Sequence, residues 1–176
     1  MTNNFRIKHL ACGVALLALL AALAEVRPAF GRGERLELDG QPLELVLVKN
    51  PAGFRLALAS FAPEGVATMI AINDLDSDGR DVSLLWDVDF ELLAEGEGHL
   101  STTGLRGPDM ANRLKYAGID PKRIHQLPNE LTPALDAFVD ALPEGQGAYI
   151  LPTYTAMLAL RQTLVERGAV TAFWEQ

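Results

Sequence analysis

Between Asn73 and Glu97 the chain sets nine carboxylates (Asp74, Asp76, Asp78, Asp81, Asp87, Asp89, Glu91, Glu95 and Glu97) against one base, Arg80. A charge run is most simply a solvated face, but two chemistries also fit its internal spacing. Asp74-x-Asp76-x-Asp78-Gly79 opens like a calcium loop, with alternating oxygen ligands and a glycine at the sharp turn. The twelfth position, however, is Leu85 where a bidentate Glu belongs, and the eighth is Asp81 where an aliphatic residue is usual. The segment leading in also reads as a strand. Calcium held by Asp74, Asp76 and Asp78 in an exported acidic domain therefore stands as the alternative reading. The other chemistry is carboxylate support of a histidine. Asp81 follows Gly79-Arg80 and precedes Val82-Ser83-Leu84-Leu85-Trp86, where the loop re-enters apolar structure and a carboxylate can be held rigidly. Such a group can accept a histidine ring N–H and fix its tautomer. Its nucleophile must come from another chain, because the single cysteine, Cys12, lies in an Ala/Leu-rich stretch and reads as a small buried filler.

The elements that must position this loop follow from periodicity and punctuation. Arg35–Leu38 and Pro42–Val48 flank Asp39-Gly40, a strong hairpin signal. Asn50-Pro51 reads as an N-cap followed by proline at the first helical position, opening a helix from Pro51 to Ser60. Val66–Ile72 is apolar without alternation, the mark of a strand covered on both faces. Further on, helices are expected over Asp87–Leu93, Pro108–Tyr116, Thr132–Leu142 and Tyr154–Glu166, and strands over His99–Thr103, Arg123–Gln126 and Ala148–Leu151. Alternating strands and helices predict an α/β fold, a three-layer sandwich with a mainly parallel sheet. Ligands in such folds gather at the carboxyl ends of strands, which is where the acidic loop falls. Trp86, Phe90 and Tyr116 are expected in the core, and His99 and His125 as surface or satisfied residues. Arg106, after a strand end, is a candidate for a phosphate or carboxylate contact.

Composition bounds what else the chain can be. With 176 residues it fits one domain. Hydrophobic residues at 49% and charged residues at 22% suit a folded core and exclude a disordered tail. A net charge of −8 leaves no broad basic surface, which argues against a nucleic-acid partner. The three histidines, His9, His99 and His125, lie far apart in no metal-ligand pattern, so no metal site is expected. Arg6 and Lys8 ahead of the apolar run Leu10–Ala24 have the outline of a signal peptide; the rival is one retained Ala/Leu-rich helix. The run is too short for a membrane span, which needs about 20 residues.

Several blocks together carry a family likeness. Val48-Lys49-Asn50-Pro51-Ala52-Gly53-Phe54 comes first, then Asn73-Asp74 with Asp78-Gly79-Arg80-Asp81-Val82-Ser83, then Trp86-Asp87-Val88-Asp89-Phe90-Glu91. Asp109-Met110 with Arg113-Leu114-Lys115-Tyr116-Ala117-Gly118 follows, and Leu151-Pro152-Thr153-Tyr154-Thr155-Ala156-Met157 closes the set. In this order they resemble the C-terminal domain of the MurT-type subunit of lipid II isoglutaminyl synthase, a Rossmann-like Mur ligase C-terminal domain. The resemblance covers residues 31–176; residues 1–30 read as an N-terminal helix, the remnant of the preceding Mur ligase central domain, to whose end Leu20–Gly33 is similar. It implies cytoplasmic, ATP- and Mg-dependent amidation of D-glutamate in lipid II, with ammonia delivered by a glutaminase subunit. In that family an aspartate of the MurT-type chain is thought to complete the glutaminase Cys-His site, and Asp81 is the matching position. Lys49 and Asn50 match a turn that faces the nucleotide in related ligases.

The departures are as informative. No G-x-x-x-x-G-K-[ST] phosphate loop occurs, the family's four-cysteine zinc ribbon is missing, and its tryptophan after Asp-Val-Ser is Leu84 here. The stretch Met1–His9 resembles nothing in the family. Together these imply a truncated or split gene or a misplaced start: a domain that docks a glutaminase, reassembles with a separate ATP-binding half, or survives as a non-functional relic.

Overall fold

The computed structural model describes residues 32–61, 65–80 and 82–171. The N-terminal segment 1–30, with its signal-like or helical reading, lies outside them, and so does Asp81. Six strands form one sheet: β1 (Arg32–Leu38), β2 (Gln41–Val46), β3 (Ala67–Ala71), β4 (Leu100–Thr103), β5 (Ile124–Gln126) and β6 (Ala148–Pro152), in the spatial order β1-β2-β6-β3-β4-β5. β1 and β2 pair antiparallel across the Asp39-Gly40 turn, where both residues take positive φ (52° and 79°), the pairing an Asp-Gly hairpin turn requires. All remaining pairs are parallel.

Among the described residues five helices cover the sheet: α1 (Pro51–Phe61), α2 (Ser83–Trp86), α3 (Gly107–Tyr116), α4 (Leu131–Asp140) and α5 (Tyr154–Glu166). α1, α2, α3 and a 3-10 turn over Phe90–Leu93 pack on one face, through Phe54, Leu58, Leu84, Phe90, Met110 and Leu114 against Ile70, Leu100 and Leu151. α4 and α5 pack on the other, through Leu135, Phe138, Met157, Leu160 and Leu164 against Leu43, Leu45, Met69 and Ile150. This is the expected three-layer α/β sandwich. Because Met69 and Ile70 face opposite layers, every residue of β3 is buried, which accounts for its unbroken apolar run. The chain steps outward from β3 to β5 with its helices on one face, then returns on the other face through α4 and inserts β6 between β2 and β3. Outward steps on one face and a return on the other give every crossover between parallel strands the same hand.

Two expectations are corrected. The helix expected over Asp87–Leu93 does not form: α2 ends at Trp86, and within that range there is only the 3-10 turn over Phe90–Leu93. Arg113 of α3 is the cause: its Nε donates to the Leu85 carbonyl (2.9 Å) and its Nη2 to the Val88 carbonyl (3.0 Å). A helix running on from α2 through Leu93 would need both acceptors for its own ladder. Phe90 is fully buried as expected, but Trp86 is 54% and Tyr116 79% exposed. Each sits at the C-terminal end of its helix, beyond the sheet's reach. Their rings meet each other at 6.1 Å, and the Arg113 guanidinium lies 5.6 Å from the Trp86 ring centre.

Phe54 and Phe90 stack edge to face at 5.0 Å in the dry interior of the first layer. Phe54→Ala is expected to cost about 3–5 kcal/mol of folding stability, read by chemical denaturation; a loss under about 1 kcal/mol would show that this layer is not the core described.

Candidate functional site at the carboxyl edge of the sheet

Parallel pairing brings the ends of β2, β6, β3 and β4 to one edge, and each is followed by a polar segment. Asn73, just past β3, ties three of them together. Its backbone N–H donates to Thr153 Oγ1 after β6 (3.0 Å), its Nδ2 donates to Thr155 Oγ1 in the first turn of α5 (3.1 Å), and its Oδ1 accepts the Leu105 N–H after β4 (3.1 Å). Gly104 makes the last contact possible. A Cβ there would stand 2.6 Å from the Ile72 carbonyl oxygen, at a φ of +85°.

From this hub the acidic loop folds back on α5. Asp78 Oδ1 accepts the Thr155 N–H (2.8 Å), while Oδ2 accepts Thr155 Oγ1–H (2.6 Å) and the Leu75 N–H (3.1 Å). A carboxylate on a first-turn N–H also meets the positive end of the helix dipole. Asp74 takes the Arg106 guanidinium (Nε to Oδ2, 2.7 Å), and Asp109 takes its Nη1 (3.0 Å). The two carboxylates, Asp109 first, raise the Arg106 pKa above its ordinary value. Asp76 pairs with Arg80 at 2.7 Å.

The calcium reading does not survive this geometry. Asp74, Asp76 and Asp78 turn to Arg106, Arg80 and Thr155 respectively instead of converging on one point, and the described residues contain no cluster of three or more His, Cys, Asp or Glu that could hold a metal. Arg106 does contact a carboxylate, but an internal one.

The loop's far end is fastened as firmly. Arg113, 6% exposed, holds the Leu85 and Val88 carbonyls and pairs with Glu91 at 2.9 Å. The Glu91 carboxyl is held below its ordinary pKa, first by a backbone N–H of its own residue and, against the cost of burial, by Arg113. Asp81 itself lies outside the described residues; Asp78 precedes it by three positions and Leu85 follows it by four. Asn50 Oδ1 accepts the Gly53 N–H at 2.8 Å, the cap expected of it, and Lys49 beside it is exposed at the same edge. Asn73, Asp78, Thr153, Thr155 and Arg113 were not singled out from sequence as positioning residues. The available signal was polar residues directly after two apolar strands, in Asn73-Asp74 and Thr153-Tyr154-Thr155.

Residues 47–157 match the family model described as MurT ligase C-terminal. The chain belongs to that family. A MurT relative, the "Lipid II isoglutaminyl synthase (glutamine-hydrolyzing) subunit MurT" of Streptococcus pneumoniae, is 33% identical over 147 residues, covering 82% of this chain and 32% of its own length. The subunit of the same name from Staphylococcus aureus is 33% identical over 93 residues, 51% of this chain and 21% of that protein. The chain thus spans about a third or less of these MurT relatives. Among solved structures, MurF from Acinetobacter baumannii superposes with a TM-score of 0.54 at 18% identity over 90% of this chain and 35% of that one. A bifunctional folylpolyglutamate synthase/dihydrofolate synthase from Yersinia pestis gives 0.52 at 15% identity, over 80% and 32%. At such identities these likenesses speak for the fold, a Mur-ligase-type C-terminal domain. Among the described residues no helix is long and apolar enough to cross a membrane.

Asp78→Ala deprives three donors of their acceptor at once. Expected are a loss of about 1–3 kcal/mol and faster amide exchange at Leu75 and Thr155, with Thr155→Ser close to wild type because it keeps the hydroxyl; unchanged exchange in Asp78→Ala would refute the latch.

Proposed function

We propose that this chain acts as the C-terminal domain of the Mur-ligase-like subunit of a lipid II amidating complex, where it docks the glutaminase subunit and supplies Asp81 to that subunit's cysteine–histidine pair. The observation that carries the reading is the double fastening of the acidic loop, by Asp78 onto the α5 N-terminus and by Arg113 onto the Leu85 carbonyl. A carboxylate meant to orient a histidine across an interface must not wander, since catalytic geometry is lost with displacements of about 1 Å. The family match and the relatives' names, which specify a glutamine-hydrolysing synthase subunit, supply the chemistry.

In this reading Asp81 accepts the histidine's ring N–H, fixes the tautomer and stabilises the imidazolium that forms when the histidine takes the thiol proton. The thiolate attacks the side-chain amide carbon of glutamine, the imidazolium gives its proton to the departing nitrogen so that ammonia leaves for the amidation of D-glutamate, and water then hydrolyses the glutamyl thioester to glutamate and free thiol. Val82, Trp86 and Tyr116, 53%, 54% and 79% exposed, with the Arg113 guanidinium against the Trp86 ring, make the docking surface beside the loop. Aromatic residues anchored near arginine are the usual energetic centre of such an interface.

ATP and Mg serve the amidation in the complete family enzyme, but this edge does not fit a nucleotide by itself. The chain has no phosphate-cradling loop, Arg106 is matched by Asp74 and Asp109, and the loop beside it is acidic. Lys49, exposed after β2, is assigned the part of facing a nucleotide held by a separate ATP-binding half, with Asn50 capping α1 beneath it. The complex works in the cytoplasm, with lipid II as its substrate.

The test is co-purification with the glutaminase encoded in the same genome, followed by an assay of glutamine hydrolysis. Wild type is expected to bind and raise turnover; Asp81→Asn should bind equally and lower the stimulated rate by about 10²-fold or more. Full stimulation by the Asn variant would remove Asp81 from the reaction, and absence of binding by wild type would remove the docking role.

A further inference from the structure

His99 and His125 stand 26 positions apart in sequence, yet the fold brings His125 Nε2 within 3.1 Å of His99 Nδ1. His99 immediately precedes β4, at the edge of the sheet opposite the acidic loop, and His125 is the middle residue of β5. Register explains the meeting. Leu100 pairs with Ile124 and Ser101 with His125, and Leu100 and Ile124 face the core of the first layer. Side chains alternate along a strand, so His125 and His99 share the opposite face. Both are exposed, and their rings lie 5.0 Å apart at 67°.

We propose that His99 and His125 form a two-imidazole site for a borderline divalent cation, Zn²⁺ in the first instance, that staples the edge strand β5 to β4. The spacing fits. Zinc–imidazole bonds are about 2.0–2.1 Å long, so nitrogens 3.1 Å apart subtend an angle of about 100° at the metal, between the octahedral and tetrahedral values. The side chains need rotate only enough to aim both lone pairs at one point. In the metal-free pair, one ring donates its N–H to the other. On binding, the donor ring moves that proton to its outer nitrogen, leaving two neutral imidazoles and releasing no proton. Water fills the remaining coordination positions, as in zinc sites that keep open ligands. The preference for Zn²⁺ over Mg²⁺ follows from nitrogen donors, since Mg²⁺ takes oxygen.

The staple has something to hold. β5 is a three-residue strand at the end of the sheet, joined to its neighbour by three register pairs. A cross-link between these strands stabilises the folded state by mass action, as any ligand that binds only the folded form does.

The experiment is titration of the full-length chain with ZnCl₂ by calorimetry and thermal melting, in parallel with His99→Ala, His125→Ala and His125→Gln. The exposed positions make these variants tolerable, and the Gln variant keeps a polar side chain in the strand. Expected is one Zn²⁺ per chain with a rise in Tm, affinity falling by more than the roughly 10-fold that loss of even an outer-shell partner costs, and no response to Mg²⁺. Undiminished Zn²⁺ binding in the variants would assign the metal to other groups, an equal response to Mg²⁺ would assign it to the acidic surface, and absence of binding in wild type would leave a simple hydrogen bond; each overturns the proposal.

Discussion

The carboxamide of Asn73 is the joint on which the functional edge depends. It reaches the start of α5 and the segment after β4 through two side-chain hydrogen bonds, while the backbone N–H of the same residue reaches Thr153 just past β6. Strand ends in a parallel sheet carry backbone groups that the ladder no longer satisfies, and an amide offering both donor and acceptor can serve one of them, the Leu105 N–H, while its donor holds the Thr155 hydroxyl. The cost of this economy is steric. The chain after β4 must approach so closely that Gly104 has no room for a side chain.

What the joint supports is a loop held by opposite means at its two ends. Upstream, a carboxylate, Asp78, satisfies N–H and O–H donors at the head of α5. Downstream, a buried cation, Arg113, satisfies carbonyls and so prevents α2 from running on into the Phe90–Leu93 turn. A buried charge persists where it is paired and hydrogen-bonded, and Arg113 gives its Nε and Nη2 to two carbonyls and Glu91 while its plane packs against Trp86 and Phe90. The same residue that breaks the helix therefore presents Trp86 to solvent. Loop restraint and aromatic surface are two consequences of one side chain.

The acidic segment looked in sequence like a single feature, and in three dimensions it is several. Asp74 neutralises Arg106, Asp76 pairs with Arg80, and Asp78 caps α5. Alternating aspartates suit calcium only if the backbone curls them around one centre, and here β3 delivers the loop to a helix terminus that competes for Asp78. The Asp78 carboxylate gains three hydrogen bonds from groups already fixed in the fold, which leaves little for a cation to offer in exchange.

The sequence by itself determined the order of the elements, the burial of β3 on both faces, the Asp39-Gly40 hairpin, the Asn50 cap and the place of the acidic loop at a strand end. Each of these is written in residues a few positions apart, through periodicity, φ preference or a side chain bonding its own backbone. The family likeness in its five blocks was legible in the same way. Only the tertiary structure decided that Asp78 meets Thr155 across 77 positions, that Asn73 meets it across 82, that Arg113 divides the helix before Phe90, that Trp86 and Tyr116 face outward, and that His99 meets His125. Those contacts depend on β6 returning between β2 and β3 and on the register of β4 with β5, and strand order and register are properties of the packed sheet that no local run of residues specifies.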